Sequence, residues 1–366
     1  MAVSQIDNNG VNLGQLGNRN LIINSAMQVA QRGTSAAITS GGYAALDRYR
    51  YELGGGATGR ATISQSSDAP TGFGSSYKVE VTTADATPST GYEYSFKQSF
   101  EGQNLQSLKK GTADAESVTV SFWVKSSVTG TFIVELMDND NSNRHINKSY
   151  TISLANTWEY KTITFAGDTT GALDNDNGNS LHLQFWHGAG SQFTSGSLQT
   201  TWGALAQANR AVGQTNLYAT LSNTWQITGV QLEVGDTATP FEHRSYGDEL
   251  ALCSRYTHVL KPEQAYGRYR ATYNDTGLAC NTFYEFPVEM RSVPTLINNN
   301  MSSSTFQCYS ETDGGFRNPT GAFTLAEGSK RHAWMSCLTA TATAGAVGLW
   351  RWNNYPSASM VFDAEL

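Results

Sequence analysis

The chain has 366 residues, and its 24 Lys and Arg against 31 Asp and Glu give a net charge of −7. Only 15% of the residues are charged, and there are 35 Gly, 15 Phe, 17 Tyr and 8 Trp. This composition is typical of a folded all-β protein and excludes a disordered chain, a helical bundle and a coiled coil. No cluster of Lys and Arg could neutralise phosphates, so nucleic acid is excluded as a partner.

The sequence contains neither a membrane span nor a secretion signal. No run of about 18 apolar residues exists, and the segment Met1–Asp7 lacks the basic start and apolar stretch of a signal peptide. We therefore expect synthesis in a cytosol and no membrane insertion.

Residues 1–19 form a polar arm with turn residues such as Asn8-Asn9-Gly10 and no sustained hydrophobic period. Such a segment buries little surface, so it is either a flexible terminus or a peptide that becomes ordered when it docks on another chain. If it docks, its apolar side chains are the natural contacts, namely Ile6, Val11, Leu13 and Leu16.

Residues 20–244 carry stripes of apolar residues at every second position, separated by short Gly, Asn, Asp and Ser breaks. This period is typical of half-buried antiparallel strands, and eight or more of them predict a jelly-roll β-sandwich. The stripes lie at 49–53, 77–81, 92–100, 118–124, 132–136, 163–165, 181–185 and 230–234.

A short helix is predicted within a connector at 245–261. Ser245 can cap it with Asp248 three residues later, and Tyr246, Leu250 and Cys253 recur at helical spacing. Pro262 prevents further extension.

Residues 262–366 predict a second, smaller β-sandwich. The stripes lie at 282–286, 304–309, 333–338, 347–352 and 360–366. The last stripe runs to the end of the chain, so we expect it to be paired inside a sheet.

Nothing in the sequence indicates catalysis. There is no GxSxG turn, and the six histidines follow no triad or metal spacing. His182 and His187, on and at the end of a predicted strand, are expected to be surface or hydrogen-bonded groups. No spacing singles out a pair among five carboxylates that could cleave glycosides: Glu93, Glu116, Glu135, Glu159 and Glu233.

The cysteines predict buried thiols rather than a metal site. Cys253, Cys280, Cys308 and Cys337 are 27, 28 and 29 residues apart, with no CxxC pair. This spacing makes a structural zinc site improbable, and disulfides are not required in a chain made in a reducing compartment.

Two acidic loops, at 138–141 and 174–178, have the oxygen ligands that calcium prefers. The EF-hand pattern needs Gly at its sixth place and Glu at its twelfth, but counting from Asp174 these places hold Asn179 and Phe185. Asx-rich turns explain both loops, so we expect no bound metal and no cofactor.

Eight sequence segments are informative beyond their strand pattern: Asn20–Gln28, Gln31–Thr34, Asp47–Tyr49, Gly229–Gly235, Ala238–Leu250, Cys253–Tyr256, Phe286–Thr295 and Asp363–Leu366. These segments resemble parts of phage tail-fibre-type virion proteins. The resemblance implies a jelly roll similar to carbohydrate-binding modules, a small distal β domain and a homotrimer. In calcium-binding modules of that type the last strand carries acidic residues, whereas here Thr228 and Gly229 stand at the corresponding places.

The resemblance leads to a functional hypothesis. The chain would be a non-enzymatic tail fibre of a virion, made in the host cytoplasm, whose arm binds another virion protein. Its C-terminal domain would face a glycan or protein on the host surface. The residues predicted to contact that receptor are Trp350, Trp352 and Trp202. A head fibre or capsid decoration protein, and a polysaccharide depolymerase tailspike, are the alternatives.

Overall fold

The structure is a computed structural model that describes residues 18–262, 268–274, 279–299, 305–317, 319–339, 342–352 and 358–366, with the backbone alone at 268, 298 and 299. The four arm residues predicted to dock, Ile6, Val11, Leu13 and Leu16, lie outside the described residues. The chain forms two compact units, the first ending at Tyr246 and the second spanning Gly247–Glu365.

The first unit is a jelly roll of two six-stranded antiparallel sheets. From the fifth strand onward successive strands alternate between the two sheets, except for the eighth and ninth, which pair with each other in one sheet; this alternation is typical of a jelly roll. Sheet A has the order β1 (Ser35–Ile38), β4 (Arg60–Ser66), β5 (Ser76–Thr83), β12 (Thr224–Val234), β7 (Val118–Ser126) and β10 (Glu159–Phe165). Sheet B has the order β2 (Gly42–Tyr43), β3 (Arg50–Gly54), β6 (Glu93–Glu101), β11 (Asn179–Ala189), β8 (Gly130–Asp138) and β9 (Arg144–Ile152).

The inward faces of these sheets form one aromatic core, as their alternating apolar residues predict. The Phe185 ring lies 5.1 Å from that of Phe122, 5.9 Å from that of Phe96 and 6.0 Å from that of Trp225. All four rings are buried, and burial of each contributes roughly 1.5–3 kcal/mol. The all-β prediction is confirmed for this unit.

The outer face of sheet B is covered by the segment 190–216, which includes the short helix α1 (Ser191–Thr194). Phe193 of that segment packs on Trp186, with ring centroids 5.3 Å apart. As a result β11 is buried on both faces along nearly its whole length. His182 and Trp186 do point away from the core, but both are buried.

The segment 18–29 is hydrogen-bonded to strand β12. The Asn20 side-chain oxygen accepts hydrogen bonds from the backbone N–H of Ile22 at 3.0 Å and of Leu232 at 3.1 Å. The Asn20 amide donates to the Val230 carbonyl at 3.0 Å. We call this segment with its contacts the clasp.

The second unit begins with the helix α2 (Tyr246–Ser254). The predicted helix is therefore found, but it is shorter than the connector 245–261, because Thr257–Leu260 already forms strand β13 and pairs with the end of the chain. Cys253 is buried as expected, whereas Tyr246 is 56% exposed and does not belong to the buried side of the helix.

Two antiparallel sheets make up the rest of the second unit. Sheet C has the order β13, β22 (Ser359–Asp363) and β16 (Thr295–Asn299), so the last strand is paired on both sides as predicted. Among the described residues no helix has the length and apolarity to cross a membrane. Sheet D has the order β18 (Gly315–Arg317), β17 (Phe306–Ser310), β21 (Val347–Trp352), β14 (Arg268–Tyr273), β15 (Ala279–Glu285), β20 (His332–Leu338) and β19 (Thr324–Gly328).

Candidate functional site

Trp350 and Trp352 are not surface residues. Both are 0% exposed and lie in the core of the second unit. The Trp350 ring stacks on Tyr269 at 4.3 Å and meets the Trp352 ring edge-on at 5.3 Å. The expectation that these tryptophans contact a receptor assumed exposure and is wrong on that point, because β21 turns its tryptophan face inward.

Trp202 is half-buried and already engaged within the first unit. Its indole N–H donates to the Ala166 carbonyl at 2.8 Å. The Lys110 ammonium lies 5.2 Å from the centre of its ring, and the ring packs against the core. Trp202 therefore offers little free aromatic face.

Partly exposed aromatic rings instead line an open groove of about 420 Å³ on the outer face of sheet A, which we call the aromatic groove. A volume of that order is within the usual range for small-molecule sites. The groove is lined by Thr71, Gly72, Phe73, Ser121, Trp123, Tyr160, Gly229, Pro240, Phe241 and His243.

One wall of the aromatic groove consists of Trp123 and Tyr160. They lie directly opposite each other on the paired strands β7 and β10, so both side chains project from the same face of the sheet. Their ring centroids are 5.3 Å apart, and Tyr160 is 46% exposed. Together they form a broad aromatic surface that is open to solvent.

The other wall consists of Phe73, Phe241 and His243. The Phe73 ring lies 4.9 Å from that of Phe241 and 5.4 Å from that of His243. Gly229 makes this packing possible, because a Cβ at this position would stand 2.6 Å from Phe73 Cζ. Its backbone also has a φ of +60°, and the ladder between β12 and β7 is irregular there.

Hydroxyl groups accompany the rings. Ser121 and Thr71 line the groove. Thr228, which pairs with Trp123 across the sheet, is fully buried and its hydroxyl has no hydrogen-bond partner. The aromatic groove thus combines flat apolar surfaces with a few small polar groups.

A charged cluster flanks Trp123 on the same strand. Lys125 pairs with Asp68, and the Trp158 indole N–H donates to the other Asp68 oxygen at 3.1 Å. Desolvation alone would raise the pKa of Asp68, but hydrogen bonds from Lys125, Trp158 and Gln226 lower it below its usual value. The Asp68 carboxylate is therefore held as an anion by hydrogen bonds to neighbouring side chains.

The covered face of sheet B has a second, smaller groove of about 250 Å³ that is polar, and we call it the polar groove. Its charged groups are largely paired with each other: Lys97 contacts Glu52 at 3.3 Å, and Gln184 donates to Glu93 at 2.8 Å. It is lined by Glu52, Glu93, Lys97, Met137, Asn139, Asn143, His182, Gln184, Leu205, Gln207 and Arg210.

A buried ion pair supports the polar groove. Arg210 donates to both oxygens of Glu135, at 2.9 and 3.0 Å, and the Trp186 indole donates to the same carboxylate at 3.0 Å. Desolvation would raise the pKa of Glu135, but the charge of Arg210 and a hydrogen bond from His145 lower it to about 2. Burial lowers the pKa of His182, also in this groove, to about 3.

The acidic loops are held by protein contacts. Asp138 pairs with Lys110 and accepts a hydrogen bond from the Asn141 backbone at 3.0 Å. Asp140 accepts one from the Asp174 backbone N–H at 2.9 Å, which joins the two loops. These contacts agree with the interpretation as Asx turns.

The second unit has one pair of exposed aromatic residues on neighbouring strands in its described part. Phe283 is 54% exposed and Trp334 is 40% exposed, and they are directly opposite on β15 and β20. Neither they nor Trp123 were predicted as contacts. Each tryptophan stands between two inward-facing residues of its strand, so strand alternation could have identified both as outward-facing. The inward-facing neighbours are Phe122 and Val124 for Trp123, and Ala333 and Met335 for Trp334.

No protein-family model and no curated protein matches this chain. Solved structures with local likeness include the enzymatically active domain of tailspike protein 4 of bacteriophage CBA120, at 12% identity and a TM-score of 0.32. That match covers 59% of this chain and 21% of the tailspike domain, so this chain spans about a fifth of that structure's length.

Carbohydrate-binding modules are also among the similar structures. The family 11 module from Clostridium thermocellum, in complex with a mixed-linked tetrasaccharide, is 13% identical with a TM-score of 0.30, and the match covers 57% of this chain and 99% of the module. The CBM22-1 xylan-binding domain from Paenibacillus barcinonensis is 10% identical with a TM-score of 0.30, covering 60% of this chain and 96% of that domain. TM-scores of this size support no residue-by-residue correspondence.

Proposed function

We propose that this protein binds carbohydrate in the aromatic groove, without cleaving it, as a component of a phage fibre. The observation that carries the proposal is the pair of rings formed by half-buried Trp123 and exposed Tyr160, which faces the wall formed by Phe73, Phe241 and His243.

The groove has the chemistry that a sugar requires. A sugar ring has apolar C–H faces and a rim of hydroxyl groups. The faces pack on aromatic rings, whose π surface attracts them, and the hydroxyls exchange hydrogen bonds with small polar groups such as Ser121 and Thr71. Two rings side by side suit a chain of at least two sugar units better than a single monosaccharide.

Binding without hydrolysis is supported by the groove's side chains. Glycoside cleavage generally uses two carboxyl groups on either side of the scissile bond. Among the described residues that line the aromatic groove none is Asp or Glu, and nearby Asp68 is held by Lys125 and Trp158.

The virion context is supported by the tail-fibre-like sequence segments. In this proposal the predicted arm 1–19 attaches the protein to another virion component through residues 1–17, since residues 18–29 belong to the clasp. Three copies assemble. The competing assignments are a head fibre, a capsid decoration protein and a depolymerase tailspike.

Glycan binding is tested with matched variants on two exposed strand positions. The full chain is screened against host surface polysaccharides and β-linked oligosaccharides, and the Kd of any ligand is then measured for W123A and W334A. We expect W123A to weaken binding about tenfold, since loss of an aromatic face costs on the order of 1 kcal/mol, and W334A to bind like the wild type. The reverse result would move the site to the second unit, and no binding to any glycan would refute the proposal.

Catalysis and location need separate assays. Release of reducing ends from a bound polysaccharide would identify a depolymerase. Immunogold labelling and quantitative mass spectrometry of intact particles would distinguish tail from head, and a subunit count other than three in native mass spectrometry would exclude the trimer.

A further inference from the structure

Three of the four cysteines meet in the core of the second unit. The Sγ atoms of Cys280, Cys308 and Cys337 all lie within 4.8 Å of one another. Those of Cys308 and Cys337 are 3.6 Å apart. The three side chains are 0%, 0% and 2% exposed, respectively.

The topology of sheet D, and not the spacing of the cysteines in the sequence, brings these three side chains together. Cys280 and Cys337 are directly opposite on the paired strands β15 and β20. Cys308 comes from β17, which is separated from β15 in sheet D by β21 and β14. Side chains so far apart in strand order can touch only where the sheet curls over its own inner face, so the absence of a CxxC motif could not reveal the cluster.

A fourth polar group faces the three thiols. Tyr273 is 3% exposed, and its hydroxyl has no hydrogen-bond partner. Tyr273 lies directly opposite Cys280 on the paired strands β14 and β15, so both side chains project from the face of sheet D that carries the cluster. A buried hydroxyl without a partner destabilises the fold, so a bound group that satisfies it is favoured at this place.

The sulfur geometry fits a metal better than a disulfide. A disulfide has a sulfur–sulfur distance of about 2.0 Å, whereas Cys280, Cys308 and Cys337 are free thiols. Three sulfurs at the ~2.3 Å zinc–sulfur bond length of a tetrahedral site stand about 3.8 Å apart, close to the 3.6 Å between Cys308 and Cys337.

We propose that Cys280, Cys308 and Cys337 bind one zinc ion as thiolates, with the hydroxyl of Tyr273 at the fourth position. Sulfur ligands favour zinc over hard cations such as calcium or magnesium. Binding displaces the thiol protons to solvent, and the ion then joins strands β15, β17 and β20, so its binding energy contributes to folding of the second unit.

The first test is the metal content of the full chain purified under reducing conditions. We expect one zinc per chain by plasma mass spectrometry. Replacing zinc by Co²⁺ should give an intense near-ultraviolet thiolate charge-transfer band and the visible bands of tetrahedral cobalt. C308S should reduce metal occupancy at least tenfold, while C253S, which changes an equally buried cysteine outside the cluster, should retain it.

Further measurements keep the proposal falsifiable if C308S does not fold. Zinc should raise the Tm of the wild-type second-unit transition and a chelator should lower it. Y273F should keep the charge-transfer band but shift the visible cobalt bands, and unchanged visible bands would remove Tyr273 from the site. Substoichiometric metal after zinc titration, or loss of two hydrogen masses showing a disulfide in the protein as purified, would overturn the zinc site.

Discussion

Acidification from pH 7.5 to 5 should destabilise the first unit because two histidines are buried in it as neutral groups. Burial lowers the pKa of both His182 and His187 to about 3. His187 Nδ1 lies 3.0 Å from the Tyr51 hydroxyl, and the Nε2 atoms of both histidines are buried without a partner. Glu135 attracts a positive charge on His182, but burial, Lys97 and Arg210 outweigh it, and burial alone lowers the pKa of His187.

The sign and size of the effect follow from proton linkage. At pH 5 the unfolded chain protonates both histidines, whose free pKa is about 6.5, and the folded chain protonates neither, so stability is complete above pH 6.5 and falls as the pH drops toward 3. With a folded pKa of about 3, each histidine removes about 2 kcal/mol at pH 5, or about 4 kcal/mol together. Glu135, with a pKa of about 2, loses its contribution only below about pH 4.5.

Urea unfolding at the two pH values, followed by tryptophan fluorescence, measures this loss. The variant H182N/H187N keeps a hydrogen-bond acceptor near Tyr51 but cannot titrate, so its pH-dependent loss should be about 4 kcal/mol smaller than that of the wild type. H243N, which changes an exposed histidine, is the control. Burial lowers the pKa of His258 to about 4. Because His258 is present in the wild type and in both variants, its contribution to the pH-dependent loss of stability cancels in the comparison. An equal pH-dependent loss in the double variant would refute the reasoning.

Three further predictions concern the first unit. R210M should cost about 3–5 kcal/mol in unfolding free energy because it leaves Glu135 buried without its cation, and E135L/R210M should recover much of that loss in the same urea experiment. G229A should cost at least 1–2 kcal/mol, since it combines a left-handed backbone with a clash against Phe73, and it should also weaken glycan binding. Deletion of residues 2–17 should leave the melting curve unchanged but abolish incorporation into particles, so normal incorporation would show that the arm is not the attachment site.

Strand positions were predictable wherever one face is apolar and the other polar. All eight stripes predicted in the first unit fall on strands. Strand β9 (Arg144–Ile152) was missed because Lys148 interrupts its inward stripe of Ile146, Tyr150 and Ile152. On its other face His145 and Asn147 are buried and receive hydrogen bonds from the covering segment, such as that of the Ala206 backbone to His145 at 3.2 Å, which no local pattern reveals.

The face on which a large aromatic residue lies was harder to predict. In β21 the sequence alternates Gly348, Trp350 and Trp352 with Val347, Leu349 and Arg351, so either set could face inward. The tryptophans do so because sheet D encloses a core, and Val347 is left 58% exposed. Burial of Trp186 likewise depends on a segment that starts only after its strand ends. Both outcomes depend on tertiary packing, which the two-residue period of a strand does not predict.

The segments that resemble virion proteins have an architectural role in this structure. Asn20 bonds to β12, Asn24 bonds to the Asp47 carbonyl at 3.1 Å, and Glu233 accepts hydrogen bonds from Thr239. These contacts join distant parts of the chain and close the jelly roll. The segments of this unit that carry the resemblance therefore contain residues whose hydrogen bonds hold the first unit together.

If the protein binds a glycan as proposed, we expect its ligand choice to depend on other positions. Of the rings that line the aromatic groove, Phe241 and His243 belong to these segments, whereas Phe73, Trp123 and Tyr160 do not. The closing segments thus supply two of the three rings of one wall and neither ring of the other. If the groove is the binding site, substitutions at Trp123 and Tyr160 should alter glycan preference without affecting the clasp or the stability it provides.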